Sequence, residues 1–209
     1  MKTIFWNVDT QNDFMNKEGS LYVSGAGSIK GNLEKITRFA KKKLITVINT
    51  ADYHHTNSAE FSNNPDFINT FPPHCVRETS GIEYVDVTNP DDPYVCAWDG
   101  NKIDENLIKS KRNIIICKDH FDVFKGNPFT DSILRAINPS KVVVYGVATN
   151  YCVDFAVKGL RKRGIEVYVL IDAIKEIPVE GEPKNTLDGW KKIGVILTTT
   201  DDLIALYSK

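Results

Sequence analysis

The chain has 209 residues, of which 42% are hydrophobic and 25% are charged, and its 26 basic and 27 acidic side chains give a formal net charge of -1. These proportions are typical of a folded globular protein and exclude a disordered, collagen-like or coiled-coil chain. The length favours a single domain over residues 1–209. The near-zero charge argues against nucleic acid as a partner, because phosphate binding requires a basic surplus.

The sequence contains no apolar stretch as long as a membrane span, and its first residues lack the pattern of a signal peptide. We therefore expect a cytoplasmic protein without membrane contact. Cys75, Cys96, Cys117 and Cys152 show no Cys-x-x-Cys spacing, and a chain of this length can be stable without disulfides. The four cysteines are expected to be reduced thiols.

Short β-branched runs alternate with amphipathic stretches along the chain, which indicates a parallel sheet covered by helices. The predicted strands are residues 3–8, 44–50, 113–117, 141–147, 165–171 and 194–198. The apolar spacing predicts helices over residues 29–39, 129–137 and 153–160, a weaker helix around 187–190 and a short one at 203–207. The sequence therefore predicts an α/β fold.

One segment, residues 53–100, interrupts this alternation and shows no helical period before Asp104. A loop this long in a compact domain is usually functional or a small embedded subdomain. Residues 81–87 and 94–98 are the candidate short strands within it.

Polar side chains follow four of the predicted strands. Asp9 follows the first strand, Asp52 and His54 follow the second, Lys118 follows the third, and Cys152 begins the helix after the fourth. Taken singly, each has an ordinary structural explanation, such as a turn residue, a surface cation or a small buried group. In a parallel sheet all five lie at the carboxyl edge, where open α/β sheets bind ligands. Their convergence predicts a functional site.

Cys152 has the sequence surroundings of a nucleophile. Thr149 and Asn150 are both good N-cap residues, which would place the thiol in the first turn of a helix. There the helix dipole favours thiolate, and a thiol pKa near 8.5 can fall to roughly 3.5–7.5. The free N-H groups of such a turn can also face an oxyanion, and Gly146 and Ala148 would let the backbone approach a substrate closely.

A thiolate needs a group that accepts the thiol proton and returns it to the leaving group. Asp9 is the carboxylate placed for that role, and Lys118 is the cation that would stabilise the charged forms of Asp9 and the thiol. No histidine follows a comparable strand near Cys152, so a Cys-His pair is the weaker alternative.

A second group of polar residues lies at the start of the irregular segment. Asp52 and His54 point to the same side of an extended chain, and a loop can bring Glu60 and His74 back to complete a set of nitrogen and oxygen ligands. Two histidines with one or two carboxylates suit zinc, iron or manganese better than calcium. On residue types alone, a solvated polar loop is an equal alternative.

Three segments that carry these residues match the pattern of a known family. They are residues 8–14 (Val-Asp-Thr-Gln-Asn-Asp-Phe), residues 116–118 (Ile-Cys-Lys) and residues 146–153 (Gly-Val-Ala-Thr-Asn-Tyr-Cys-Val). With these three segments in this order, the chain resembles the isochorismatase-like cysteine hydrolases over nearly its whole length. Asp52-x-His54 and residues 71–75 (Phe-Pro-Pro-His-Cys) resemble the nicotinamidase (pyrazinamidase) branch.

The resemblance implies a three-layer α/β/α fold around a six-stranded, mainly parallel sheet with strand order 3-2-1-4-5-6. Members are often homo-oligomers, so self-association is an expectation. The irregular segment at about 53–100 would hold the metal site and a lid. The metal ligands implied by the resemblance match Asp52, His54 and His74. Glu60 stands where many members have a histidine ligand, and Phe71 stands where tryptophan is common.

The resemblance also implies an activity, the hydrolysis of nicotinamide to nicotinate and ammonia in NAD salvage. Asp9, Lys118 and Cys152 would be catalytic, with a thioester on Cys152 and an oxyanion held by the N-H groups of Ala148 and Cys152. The implied cofactor is a divalent metal, Zn²⁺ first and Mn²⁺ or Fe²⁺ as alternatives, which would bind the pyridine nitrogen. The implied walls of the substrate pocket are Phe14, Phe71 and Tyr151.

Two other functions remain open at this stage. The first is a metal-free cysteine hydrolase acting on another small amide, a carbamoyl compound or a vinyl ether, for which Asp9, Lys118 and Cys152 suffice. The second is a non-catalytic binding protein on the same fold, because a fold does not determine a function. Metal content distinguishes the metal-free hydrolase, and reaction of Cys152 with a thiol alkylator distinguishes the binding protein.

Overall fold

A parallel sheet, with seven strands among the residues that the structure describes, forms the centre of the molecule. The computed structural model describes residues 2–178 and 182–207. The strands are β1 (Thr3–Val8), β2 (Val47–Asp52), β3 (Tyr94–Cys96), β4 (Asn113–Lys118), β5 (Lys141–Val147), β6 (Glu166–Lys175) and β7 (Ile196–Thr198). The helices are α1 (Asn12–Met15), α2 (Lys30–Lys42), α3 (Glu105–Ser110), α4 (Val123–Gly126), α5 (Thr130–Ile137), α6 (Asp154–Lys162), α7 (Glu182–Lys192) and α8 (Thr200–Leu206). The α/β class predicted from the sequence is confirmed.

The strand order is β3-β4-β2-β1-β5-β6-β7, and every pairing between neighbouring strands is parallel. The six predicted strands keep the expected order, but the expected number of six is wrong. The additional strand is β3, which pairs with β4 so that Tyr94 lies opposite Ile114. It lies within residues 94–98, which are predicted as a short strand of the irregular segment, and its three residues join the main sheet rather than a separate subdomain.

Side chains of β1 alternate between the two faces of the sheet, as the pleat requires. Ile4, Trp6 and Val8 join one core cluster with apolar side chains of α3, α5, α6 and α7. Phe5 joins a second cluster with apolar side chains of α2 and α8. Helices therefore cover both faces, and the layers are α/β/α. The predicted helices over residues 29–39, 129–137 and 153–160 correspond to α2, α5 and α6.

Residues 53–93 connect β2 to β3 without an α-helix. The strand predicted at residues 81–87 is wrong, because this part contains two short 3₁₀ turns, Ser80–Ile82 and Asp86–Thr88. Between them Tyr84 makes an isolated bridge to Gln11, and its hydroxyl donates a hydrogen bond to the carbonyl oxygen of Thr50. The segment is thus fixed to the ends of β1 and β2 rather than to a sheet of its own.

All four cysteines are buried free thiols. Among the described residues, the helices are all too short or too polar to cross a membrane.

Gly146 allows β5 to approach β1 closely at the end of the sheet. It lies opposite Val8 with a φ of 117°, and a Cβ atom built on it would lie 2.0 Å from the carbonyl oxygen of Val8. The close approach of a substrate predicted for this glycine is wrong, because the neighbouring strand occupies the space.

We expect Gly146→Ala to lower the free energy of unfolding by at least about 3 kcal/mol, since it adds a backbone clash to an unfavourable φ. Gly164→Ala is the matched control, because Gly164 also has a positive φ of 75° but has no atom within 4 Å of a built Cβ. Gly164→Ala should lower the free energy of unfolding by only about 1 kcal/mol. Urea denaturation of both variants measures the difference, and equal losses would contradict the packing explanation.

Candidate active site

The carboxyl edge of the sheet brings together the four charged or nucleophilic residues that the strand ends predicted. Asp9 follows β1, Asp52 and Lys118 end β2 and β4 directly opposite each other, and Cys152 follows β5. All four are buried. Asp9 has a positive φ of 46°, a conformation that aspartate tolerates better than most residues and that turns the chain away from β1.

Lys118 connects the other three residues. Its Nζ lies 3.0 Å from Oδ2 of Asp9 and 3.6 Å from Sγ of Cys152, and it also donates a hydrogen bond to Oδ1 of Asp52. One cation thus contacts two carboxylates and the thiol in a region without solvent exposure. This arrangement compensates buried negative charge that would otherwise be costly.

Thr50 fixes the orientation of the Asp9 carboxylate. The Thr50 hydroxyl donates a 2.6 Å hydrogen bond to Oδ1 of Asp9, which leaves Oδ2 facing Lys118. A carboxylate oxygen of Asp9 also lies within 4.8 Å of Sγ of Cys152. Asp9 is therefore held within reach of the thiol proton. Thr50 is not among the site residues predicted from the sequence, because a buried threonine in a strand is ordinary.

Burial raises the pKa of both groups that would exchange the proton. For Asp9, burial raises the pKa, Lys118 opposes it, and the result is a pKa above the ordinary value. For Cys152, burial raises the pKa well above the ordinary value although Lys118 lowers it. The expected low thiol pKa is therefore wrong for the resting site, because desolvation outweighs the neighbouring cation and the helix terminus. Burial thus favours the thiol form of Cys152.

The turn that carries Cys152 differs from the predicted capped helix. Residues Thr149–Val153 form one π-helical turn before α6, and the peptide bond between Val147 and Ala148 is cis. Asn150 does not cap the helix, because its side chain makes two 3.0 Å hydrogen bonds with the backbone of Ile177. The Thr149 hydroxyl is buried and finds no hydrogen-bond partner in the part of the chain that the structure describes. The predicted N-caps are wrong.

The candidate metal ligands Asp52, His54 and His74 lie together, with one ligand atom from each within 4.8 Å of the others. Oδ2 of Asp52 is 3.9 Å from Nε2 of His54 and 3.5 Å from Nε2 of His74. The other ring nitrogens are occupied: Nδ1 of His54 bonds Ser58 Oγ at 3.1 Å, and Nδ1 of His74 donates to the Pro72 carbonyl at 2.8 Å. Metal-binding histidines typically form such a hydrogen bond through the ring nitrogen that does not face the metal.

Nε2 of His54 is buried and has no hydrogen-bond partner among the described residues, which is costly for a ring nitrogen away from water. A metal ion at this place would remove that cost, so these three residues fit a divalent cation. The solvated polar loop considered from the sequence does not match their burial.

Glu60 lies beside this group rather than within it. Its Oε2 is 3.8 Å from Nε2 of His54, and its Oε1 accepts a 2.9 Å hydrogen bond from the Phe121 N-H. Burial and the nearby Asp52 charge raise the Glu60 pKa to about 7. One carboxylate oxygen is thus fixed by the backbone while the other faces the histidines.

A narrow, largely apolar cavity opens between the two groups of polar residues. Phe14, Phe71 and Tyr151 line it, and the rings of Phe71 and Tyr151 meet edge to face at 5.7 Å. Ala148 and Cys152 lie on the same cavity, as do Asp52, Glu60 and His74. Five further lining residues are not among those predicted from the sequence: Leu21, Val23, Phe121, Val147 and Ile177. Only Phe121, three residues after Lys118, had a sequence signal, since it follows a strand end.

Comparison with protein families gives a match to the isochorismatase domain over residues 97–202, half of the chain, including Lys118 and Cys152. The chain belongs to the isochorismatase family. Within this family, it is 28% identical over 174 residues to the nicotinamidase/pyrazinamidase of Mycobacterium tuberculosis, covering 79% of this chain and 82% of that protein.

Solved structures show the same isochorismatase-family fold. The pyrazinamidase of Pyrococcus horikoshii in complex with zinc has a TM-score of 0.76 and 28% identity, covering 95% of this chain and 99% of that one. A nicotinamidase from Acinetobacter baumannii has a TM-score of 0.77 and 21% identity, covering 97% and 98%. The N-carbamoylsarcosine amidase of Thermoplasma acidophilum has a TM-score of 0.73 and 21% identity, covering 96% and 98%. The last two support the fold alone.

In this isochorismatase-family chain we expect Lys118→Met to slow alkylation of Cys152 near pH 7. The ammonium lowers the thiol pKa, so removing it raises that pKa further and reduces the thiolate fraction at neutral pH. The alkylation rate of Cys152 should reach half of its maximum at a higher pH in Lys118→Met than in the wild type. Iodoacetamide labelling followed by mass spectrometry measures it.

The control for this experiment is Lys158→Met, which removes an exposed lysine from α6. Lys118→Met also leaves two buried carboxylates without their cation, which typically costs 3–5 kcal/mol. Labelling should therefore be done at a temperature where circular dichroism shows that both variants are folded. A pH profile for Lys118→Met equal to that of the control would contradict the role of the ammonium.

Proposed function

We propose that this protein is a nicotinamidase, which hydrolyses nicotinamide to nicotinate and ammonia. The observation that carries the proposal is the position of Asp52. Its Oδ1 contacts Lys118 beside Cys152, while its Oδ2 faces His54 and His74. One small cavity therefore has a nucleophile at one end and nitrogen and oxygen ligands at the other, as a carboxamide on a pyridine ring requires. The relatives named pyrazinamidase, 28% identical, support this choice of substrate.

The chemistry begins with the buried thiol. Sγ of Cys152 attacks the carboxamide carbon while its proton passes to Asp9, whose raised pKa suits it to accept and return a proton. The oxyanion is held by the N-H groups of Ala148 and Cys152. Asp9 then protonates the amide nitrogen, the C-N bond breaks, and ammonia leaves a thioester on Cys152.

Water completes the reaction. Asp9, again ionised, takes a proton from a water molecule that attacks the thioester carbon. Collapse of the second tetrahedral intermediate expels the Cys152 thiolate and releases nicotinic acid, which ionises to nicotinate in water. The Cys152 sulfur recovers its proton from Asp9. Lys118 stays positively charged throughout, because Asp52 and Asp9 raise its pKa well above the ordinary value although burial lowers it. Its charge stabilises each anion formed beside it.

Substrate binding involves the opposite end of the cavity. Asp52, His54 and His74, with Glu60 as a fourth candidate, would hold a divalent metal, Zn²⁺ first and Mn²⁺ or Fe²⁺ as alternatives. When bound, the metal would supply a Lewis-acid contact for the pyridine nitrogen and so orient the ring. Phe14, Phe71 and Tyr151 would form the walls against the flat ring.

The direct test is ammonia release from nicotinamide, with metal analysis on the same sample. Cys152→Ala should reduce turnover to below about 1% of wild type, because no other group supplies the thioester, and the smaller side chain should leave the fold intact. Cys96→Ala, which removes another buried thiol, is the matched control and should stay active. Activity of Cys152→Ala above a few per cent would remove Cys152 as the nucleophile.

A second prediction separates binding from chemistry. His54→Ala should deplete the metal and lower kcat/KM for nicotinamide about 100-fold, equivalent to about 2.7 kcal/mol, because an orienting contact is lost. Alkylation of Cys152 should be nearly unchanged. His74→Ala should behave in the same way. For each variant, both kcat/KM for nicotinamide and the rate of Cys152 alkylation are measured.

If His54→Ala lost its metal yet hydrolysed nicotinamide as well as wild type, the metal-anchored mechanism would be wrong. The alternative would then be a metal-free cysteine hydrolase acting on another small amide or carbamoyl compound.

A further inference from the structure

The segment that begins with the base Asp9 contains three other buried polar residues, Thr10, Gln11 and Asp13, that the mechanism does not use. The Thr10 hydroxyl hydrogen-bonds Asn7 and Thr88, whereas the side chains of Gln11 and Asp13 point toward the segments that carry the candidate metal ligands. A buried carboxamide and a buried carboxylate need hydrogen-bond partners. The identity of those partners indicates what the two residues do.

Gln11 binds the main chain of Asp52. Its Nε2 donates hydrogen bonds to the carbonyl oxygens of Asp52 at 2.8 Å and Ile82 at 3.0 Å, and its Oε1 accepts a 2.8 Å hydrogen bond from the Asp52 N-H. The carboxamide thus pairs with both polar groups of the Asp52 backbone, at the last residue of β2. This pairing fixes the Asp52 peptide on one side while Lys118 contacts its side chain.

Asp13 binds the main chain beside His74. Its Oδ2 accepts a 2.7 Å hydrogen bond from the Cys75 N-H, and its Oδ1 accepts a 3.0 Å hydrogen bond from the Ser20 N-H. The Cys75 carbonyl oxygen in turn accepts a 3.1 Å hydrogen bond from the His54 N-H. The Cys75 residue therefore links Asp13 to the backbone of both histidines.

Gly81 closes this arrangement from the other side. A Cβ atom built on Gly81 would lie 2.1 Å from Oδ2 of Asp13, so the chain passes directly against the carboxylate. Asp13 thus has no room to move away from Cys75.

We propose that Gln11 and Asp13 are positioning residues for the metal site, holding Asp52, His54 and His74 in place through backbone hydrogen bonds. This inference rests on the proposed function. The segment that supplies the base also aligns the ligands at the other end of the cavity, which sets the distance between the nucleophile and the ring-binding site. Outer hydrogen bonds of this kind typically change metal affinity 10- to 100-fold when removed.

The test uses the full chain with Gln11→Met and Asp13→Asn. Gln11→Met keeps a similar volume and removes three hydrogen bonds, and Asp13→Asn replaces one of two acceptor oxygens by a donor. Asn12→Ala is the matched control, because Asn12 lies between them in sequence and its side chain bonds only the Ser80 carbonyl and Asn16. Metal-free protein is titrated with Zn²⁺ against a chromophoric chelator, and Cys152 alkylation is measured in parallel.

We expect Zn²⁺ to bind 10- to 100-fold more weakly to Gln11→Met and Asp13→Asn than to wild type and Asn12→Ala. Alkylation should stay within about threefold of wild type. The Zn²⁺ concentration that gives half-maximal nicotinamide hydrolysis should rise, while kcat at saturating Zn²⁺ stays within about threefold. A variant that had only lost overall stability would not recover its kcat when excess Zn²⁺ is added. Equal Zn²⁺ affinity in folded variants would overturn the inference.

Hydrogen exchange on the wild type provides a measurement that does not depend on the folding of a variant. Zn²⁺ should slow exchange of the Asp52 and Cys75 amides at least tenfold, because their bonds to Gln11 and Asp13 tighten when the ligands are held. Unchanged exchange at both amides on Zn²⁺ binding would also overturn the inference. Zn²⁺ binding that depends on Gln11 and Asp13, without hydrolysis of nicotinamide, would support the inference and refute the proposed function.

Discussion

The buried ammonium group of Lys118 stabilises the rest of the site. Two carboxylates and a thiol are buried at the carboxyl edge of the sheet, and an uncompensated buried charge would cost several kcal/mol. Because Asp52 and Asp9 raise the pKa of Lys118 well above its ordinary value against the effect of burial, the ammonium remains charged. The parallel register that places Lys118 opposite Asp52 is what brings this cation to the centre of the edge.

The pKa values of the two aspartates beside Lys118 are shifted in opposite directions. Burial would raise the pKa of Asp52, but Lys118 and then His54 and His74 hold it well below its ordinary value, so Asp52 remains a carboxylate. Asp9 has fewer compensating partners, and its pKa is raised. Two residues of one type thereby suit two functions, a fixed negative charge toward the histidines and a group that accepts and returns a proton. The geometry of the cavity and the electrostatics of the edge support the same assignment.

The sequence predicts the parts of this arrangement that depend on strand ends. Asp9, Asp52, Lys118 and Cys152 each follow a β-branched run, and parallel strands necessarily bring their carboxyl ends together. The raised pKa of Cys152 was not predictable, because it depends on the depth of burial rather than on the turn. Contacts made across the irregular residues 53–93 were equally inaccessible, since no periodic pattern relates Asp13 to Cys75 across 62 residues of chain.

Both edges of the sheet end in a three-residue strand, β3 on one side and β7 on the other. An edge strand exposes unpaired backbone groups that can pair with another chain, and proteins limit this risk by keeping such strands short. β3 and β7 offer only a few such groups each, too few to begin an extended intermolecular sheet. Association between copies of this chain by continuation of the sheet is therefore disfavoured at both edges.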